Sequence, residues 1–188
     1  SGPRIFDASF TPNCFLYLFE ISRPFDEWSV LGRTGGDFPE IRFADLGLDP
    51  TAEYFVFEFW SKRLLGSFNA RFSPGQIDPK FKSQAFCIRE RKAHPQLIAT
   101  SRHVSCGGVD LLNLQWDGER LKGKSILVGR DPYTIYLTEP TGYKFEKFEC
   151  PSLPPAKIEK EGMLVKITLS AEKSCEVEWS VIFEGHNT

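Results

Sequence analysis

The chain has 188 residues, with 23 Lys+Arg against 25 Asp+Glu and a formal net charge of −2. That length suits one large domain or two small ones, buries roughly 70% of its unfolded surface without help from metals or disulfides, and falls short of the about 250 residues of a (β/α)8 barrel. The near-neutral balance removes the electrostatic drive toward nucleic acid or an anionic membrane, and no run of about 18 apolar residues is present to span a bilayer.

Taken in order, the elements alternate by two far more often than by three and a half. Cys14 to Ile21 is a nearly continuous apolar run rich in aromatics, which predicts a strand buried on both faces. Trp28 to Leu31 predicts another, ended by the turn residues Thr34-Gly35-Gly36-Asp37. Glu53 to Trp60 carries more β-formers than any other window. Ser73-Pro74-Gly75-Gln76-Ile77-Asp78-Pro79 is an irregular excursion. Leu111 to Trp116, then Asp117-Gly118, then Leu121 to Val128 predict a hairpin, with both central residues of a type I′ turn at positive φ. Pro151 to Pro155 predicts a stiff connector outside any central strand. Met163 to Leu169 and Cys175 to Ile182 predict half-buried strands around the polar loop Ser170 to Ser174. The expected fold is all-β: two packed antiparallel β-sandwich subdomains, immunoglobulin-like or similar, over residues 1–91 and 96–188. The change-over is placed near Arg91-Lys92-Ala93-His94-Pro95.

Cys14, Cys87, Cys106, Cys150 and Cys175 are odd in number, widely scattered and without a C-x-x-C pair, which predicts free thiols and no zinc site. Ser1-Gly2-Pro3 reads as the edge of an excised piece, so the compartment is left open. Cys106 before Gly107-Gly108, with His103 nearby, invites a Cys/His pair, and Ser101-Arg102-His103 with Asp110 invites a triad. A working pair needs adjacency and an orienting third group, and a Gly-Gly turn between strands accounts for the same residues. No G-x-G-x-x-G, G-K-[ST] or H-E-x-x-H is present, so no cofactor is expected. Glu176 and Glu178 share one strand face, where carboxylates are usually solvated. No catalytic residue is assigned.

Aromatic rings are the other resource. Most of the four Trp and five Tyr are expected in the core. Trp116 at a hairpin shoulder, and Tyr133 and Tyr143 beside Pro132 and Gly142, are the candidates for an exposed platform that stacks on a sugar. Arg102, His103 and Asp110 are the candidate polar readers, with Arg102 forking onto Asp110.

Three stretches carry a resemblance. Arg23-Pro24-Phe25-Asp26-Glu27-Trp28-Ser29-Val30-Leu31-Gly32 is similar to the strand that opens the region after the barrel in melibiase-like glycoside hydrolases of the α-galactosidase clan. Phe43 to Pro50, then Tyr54 to Trp60 and Leu64-Leu65-Gly66, resembles that clan's "L-G-L-D … Y-x-V-F-x-F-W … L-G" pattern. His94-Pro95-Gln96-Leu97, Thr100-Ser101-Arg102-His103 and Gly108-Val109-Asp110-Leu111 resemble its "HPQ … TSRH … G-x-D-L" segment. One departure is Gly32-Arg33-Thr34, where an Asn-Trp pair belongs to the family pattern. The resemblance implies a non-catalytic C-terminal accessory region whose partner is the catalytic (β/α)8 barrel of a parent chain, the catalytic aspartates lying on that barrel. A carbohydrate-binding module is the second expectation and an Ig-like protein-interaction domain the third. A bracing face is expected as an exposed apolar patch within the aromatic-rich stretch Cys14 to Phe68.

Overall fold

The computed structural model describes residues 4–6 and 15–185. Its regular structure is almost entirely strand, and the 3-10 turn Ala44–Leu46 is the one helical element among the described residues. The antiparallel sheets pack as sandwich-like domains. By contact density the chain forms two compact units: Ser1–Ser22 with Glu27–Arg91, and Arg23–Asp26 with Lys92–Thr188.

The first unit contains β1 (Arg4–Phe6), β2 (Phe15–Arg23), β3 (Asp26–Thr34), β4 (Ile41–Arg42), β5 (Glu53–Glu58), β6 (Arg63–Asn69), β7 (Arg71–Phe72) and β8 (Gln84–Glu90). Six of them form one sheet in the order β1-β2-β3-β8-β5-β6, and β4 pairs with β7 as a two-stranded ribbon. The core joins Leu18, Leu31, Val56, Phe86 and Ile88 of the sheet to Ile41, Phe43, Leu46 and Phe72 around the ribbon and the 3-10 turn. The Phe43 ring lies 4.7 Å from Tyr54 and 5.8 Å from Phe72, which fills the layer with aromatic volume. The central strands β5 and β8 are buried on both faces: Tyr54 to Glu58 and Gln84 to Arg89 are all buried. In β2, Leu16 and Leu18 are buried while Phe19 and Glu20 are exposed, so the two-faced burial expected from Cys14 to Ile21 does not hold. Cys14 itself lies outside the described residues.

The second unit contains β9 (Leu97–Thr100), β10 (Leu111–Trp116), β11 (Arg120–Leu127), β12 (Tyr133–Thr138), β13 (Tyr143–Glu149), β14 (Lys157–Glu161), β15 (Leu164–Leu169) and β16 (Cys175–Gly185). Two four-stranded sheets, β10-β11-β16-β13 and β14-β15-β12-β9, enclose a core of Leu121, Leu127, Ile135, Leu137, Val165, Ile167, Val177, Trp179 and Val181. Period-two burial is clearest in β16, where Val177, Trp179, Val181 and Phe183 point inward. Pro151 to Pro155 carries the chain from β13 to β14, and so from one sheet to the other, outside any strand. The edge strand β14 is exposed along its whole length and carries Lys157, Glu159, Lys160 and Glu161, charges that discourage pairing with another chain. Cys87, Cys106, Cys150 and Cys175 are free thiols, and burial pushes the Cys150 thiol above its ordinary pKa.

The β10–β11 hairpin forms where Asp117-Gly118 predicts it, but with a different turn. Trp116 pairs with Leu121 and the Asp117 N–H donates to the Arg120 carbonyl at 3.1 Å, so Gly118 and Glu119 are the central residues. Gly118 has φ 106 and Glu119 is not among the positive-φ residues, which matches type II′ rather than I′. Asp117 precedes the turn and caps it, accepting the Glu119 and Arg120 N–H groups at 3.2 and 2.8 Å. A hydrogen bond from Lys122, reinforced by those N–H groups, lowers its pKa from 3.8 to about 2. A carboxylate held below its unfolded value supports the fold above that value and loses its contribution as pH falls through the folded one. The Arg120 amide resonance is therefore expected to titrate with a midpoint near 2. A midpoint at 3.8 or higher removes Lys122 as the cause.

Candidate functional site

The segment with the most sequence-derived candidates joins β9 to β10. It is built by local hydrogen bonds. Ser101 N–H donates to the Thr134 carbonyl at 2.9 Å, and the Thr134 N–H returns to Ser101 Oγ at 2.8 Å. The Cys106 N–H reaches the His103 carbonyl at 2.8 Å, and the Leu111 N–H reaches the Gly107 carbonyl at 3.0 Å. Cys106 has φ 56 and Gly107 φ 118, so the chain reverses here through two left-handed residues. His103 is exposed and its Nδ1 faces Ser105, 2.9 Å from Oγ and 3.1 Å from the backbone N–H. The buried Cys106 thiol donates to the Val104 carbonyl at 3.4 Å. These contacts give both side chains structural work within the turn.

Asp110 is buried at the end of the turn. Its Oδ2 accepts from Thr100 Oγ1 at 2.7 Å and from the Tyr133 hydroxyl at 2.7 Å. Tyr133 Oη lies 3.0 Å from Ser125 Oγ, which in turn accepts the Trp179 indole N–H at 2.9 Å. The network thus ties β9, β10's approach, β11, β12 and β16 together through side chains inside the sandwich. Burial, then the nearby Asp110 charge, drives the Tyr133 phenol well above its ordinary pKa. Tyr133 is a fully buried core residue, which corrects the expectation of a surface ring. Arg102 does not fork onto Asp110. Its Nη1 pairs with Asp131, and its guanidinium carbon lies 6.0 Å from the Tyr133 ring centre. Arg102 Nε, Arg102 Nη2 and Asp110 Oδ1 are buried without a hydrogen-bond partner among the described residues.

Trp116 and Tyr143 are half-buried. The His94 ring lies parallel to the Trp116 indole, centroids 5.2 Å apart and 2° from coplanar, so one face of that indole is covered. Tyr143 meets Trp116 edge-on at 5.7 Å and Phe183 does so at 6.1 Å. The ring picked as a platform is the centre of an aromatic cluster that includes the His of the His94-Pro95-Gln96 segment.

Sequence reasoning missed the surface beside this network. Val109, Leu112, Ile126 and Val128 are between 36% and 54% exposed. The Ile126 N–H donates to the Asp110 carbonyl at 2.8 Å, which sets Val109 next to the end of β11. Leu112 sits at the irregularity between the Leu111–Ser125 and Asn113–Lys124 pairs. Asp110, Leu111, Ser125 and Leu127 point inward, so their neighbours form an outward aliphatic surface. In the stretch from Leu16 to Phe68, where the patch is expected from sequence, the exposed large apolar residues are Phe19 and Trp60 alone. Among the described residues no group of His, Cys, Asp or Glu is gathered to hold a metal ion. Comparison with protein-family models, curated proteins and solved structures finds no match.

Proposed function

We propose that this chain is a non-catalytic accessory region of a glycoside hydrolase resembling α-galactosidases, and that it braces a catalytic barrel. The observation that carries the reading is the aliphatic surface of Val109, Leu112, Ile126 and Val128. One of its four members, Val109, lies on the Gly108-Val109-Asp110-Leu111 segment that carries the resemblance, and the Thr100–Asp110–Tyr133 network holds that segment from beneath. Covering the third to half of each side chain that is still exposed contributes on the order of 1 kcal/mol, so four of them offer a partner domain a useful contact. The rigid backbone behind them lowers the ordering cost of that contact. A carbohydrate-binding role through Trp116 has less support, since His94 already covers one face of the indole.

The test is the reading frame preceding Ser1 together with one substitution. That frame is expected to encode a barrel-length segment with two catalytic carboxylates. In the 188-residue chain, Val109→Asp is expected to change stability by less than about 0.5 kcal/mol, because the side chain is 54% exposed and lies outside any strand. In the longer chain the same change is expected to cost about 2 kcal/mol and to lower the melting temperature of the barrel. An upstream frame without a barrel, or equal effects in the two chains, overturns the reading.

A further inference from the structure

Two turns of the first unit meet at one end of its sheet: residues 59–62 between β5 and β6, and residues 79–82 ahead of β8. The Trp60 indole joins them, stacking on Phe81 with centroids 6.0 Å apart and 19° from parallel. Phe59 meets the same indole edge-on at 5.1 Å. Both turns are held by hydrogen bonds to their own backbone. The buried Glu58 carboxylate accepts the Trp60 and Ser61 N–H groups at 3.1 and 2.7 Å. Asp78 Oδ1 accepts the Lys80 N–H at 2.8 Å, and the Asp78 carbonyl accepts those of Phe81 and Lys82 at 3.0 Å each. The result is a fixed aromatic slab whose most exposed ring, Trp60, is 39% open to solvent.

Cations surround this slab. Lys62, Arg63, Lys80 and Lys82 are exposed, and none forms an ion pair with a described residue. Elsewhere in the unit Arg42, Arg71 and Arg91 sit against Asp45, Glu40 and Glu53. The carboxylates nearest the two turns in sequence, Glu58 and Asp78, are engaged by backbone N–H groups. Lys80 leans over the Phe81 ring, its Nζ 5.3 Å from the centre. Lys62 and Lys82 have φ 56 and 57, a left-handed backbone that Gly or Asn adopts more readily. Each turn thus keeps a lysine where the local conformation favours a different residue. A formal charge of −2 over the whole chain hides this local excess of cations.

The aromatic geometry selects among anionic partners. A stacked nucleobase needs an open ring face, whereas this indole already gives a face to Phe81 and is met edge-on by Phe59. A bilayer interface needs no open face. It takes an amphipathic ring at the level of the headgroups, and flanking lysines then meet the anionic groups of the lipid. The Trp60 indole N–H has no hydrogen-bond partner among the described residues, so it is available to a lipid oxygen. We propose that these two turns form a peripheral docking surface for an anionic lipid bilayer. Trp60 enters the headgroup layer, and Lys62, Arg63, Lys80 and Lys82 contact the lipid phosphates and carboxylates. The proposal stands independently of the bracing role, which rests on the second unit.

The test sediments the 188-residue chain with vesicles of phosphatidylcholine alone and with vesicles that contain about one-third phosphatidylserine. The anionic vesicles are expected to bind it at least about tenfold more strongly, an advantage that fades as salt is raised to about 0.5 M. Lys80→Glu and Trp60→Ala are each expected to weaken binding about fivefold or more. Lys62→Gly with Lys82→Gly should weaken it about tenfold without lowering the melting temperature, since Gly suits both backbone positions. Lys144→Gln with Lys173→Gln makes the same change of net charge on exposed residues of the second unit, and should alter binding by less than about twofold. Equal sedimentation with the two vesicle types overturns the proposal. So does binding that survives both Lys80→Glu and Trp60→Ala, or that falls equally in the second-unit variant. Retention on single-stranded polyuridylate or on polyglutamate, with none on anionic vesicles, also overturns it.

Discussion

Gly123→Ala is expected to destabilise the second unit by about 3 kcal/mol, the upper range for forcing extra volume into a packed core. Gly123 faces Trp179 directly across the β11–β16 pair. A Cβ at this position falls 2.1 Å from Trp179 Cζ2, 2.5 Å from Cε2 and 2.6 Å from Cη2, so the indole occupies the space that any side chain needs. The ring has no easy retreat. It is buried, and its N–H donates to Ser125 Oγ, itself part of the buried network. Gly123 is not among the positive-φ residues, so the loss is steric and not a backbone preference. That distinction supplies the check. Trp179→Ala alone is expected to cost about 3–5 kcal/mol. The double variant should then cost little more than Trp179→Ala, because the obstacle to the new methyl group is gone. Urea denaturation of the four proteins measures the coupling, and effects that add to within about 0.5 kcal/mol refute the contact as the cause.

The relation between Gly123 and Trp179 also illustrates what could be read from the chain and what could not. The strand character expected over Glu53 to Trp60, Met163 to Leu169 and Cys175 to Ile182 follows from β-branched and aromatic residues in short runs bounded by turn formers, and it holds over Glu53–Glu58, Leu164–Leu169 and the whole of Cys175 to Ile182, while Phe59 and Trp60 belong to the turn after β5. The Asp117-Gly118 hairpin was legible because its signal is local, although the position of the turn shifted by one residue once Asp117 served as the cap. Sidedness was less legible. An apolar run such as Cys14 to Ile21 does not reveal which neighbours will flank it, and in the folded sheet Phe19 is left exposed. Charge pairing was misread for a related reason: Arg102 and Asp110 are close in sequence, but the turn directs Arg102 to Asp131 and Asp110 to Tyr133. Contacts between distant surface segments are non-local as well. Trp60 stacks on Phe81 beyond a loop whose Gly75 carbonyl is held by Arg33. The Val109–Ile126 neighbourhood needs the β10–β11 register before it becomes visible.

Asp110→Ala is expected to cost about 3 kcal/mol, because it strands a buried donor rather than removing a single favourable contact. Thr100 Oγ1 and the Tyr133 hydroxyl both donate to Asp110 Oδ2, at 2.7 Å each, and both residues are fully buried. Tyr133 can turn its proton to Ser125 Oγ, which accepts it on the lone pair not used by the Trp179 indole N–H, so the Thr100 hydroxyl is the donor left without its acceptor. Asp110→Asn keeps an acceptor in the same place and should cost about 1–2 kcal/mol, which separates loss of the acceptor from loss of the charge. The charge has its own readout. Asp110 is the second-largest cause, after burial, of the elevated Tyr133 pKa, so Asp110→Asn should bring the Tyr133 ionisation downward. A phenol whose folded pKa exceeds its unfolded value of 10.0 supports the fold fully below that value. Its contribution falls as pH rises above it, since the unfolded chain releases the proton first. The parent protein should therefore lose stability steadily above pH 10.0, and Tyr133→Phe should flatten that decline while lowering stability at neutral pH. Urea midpoints measured from neutral to alkaline pH, with tyrosinate absorbance recorded on the same samples, decide it. An alkaline decline of equal slope in the parent and in Tyr133→Phe removes Tyr133 from the centre of the network.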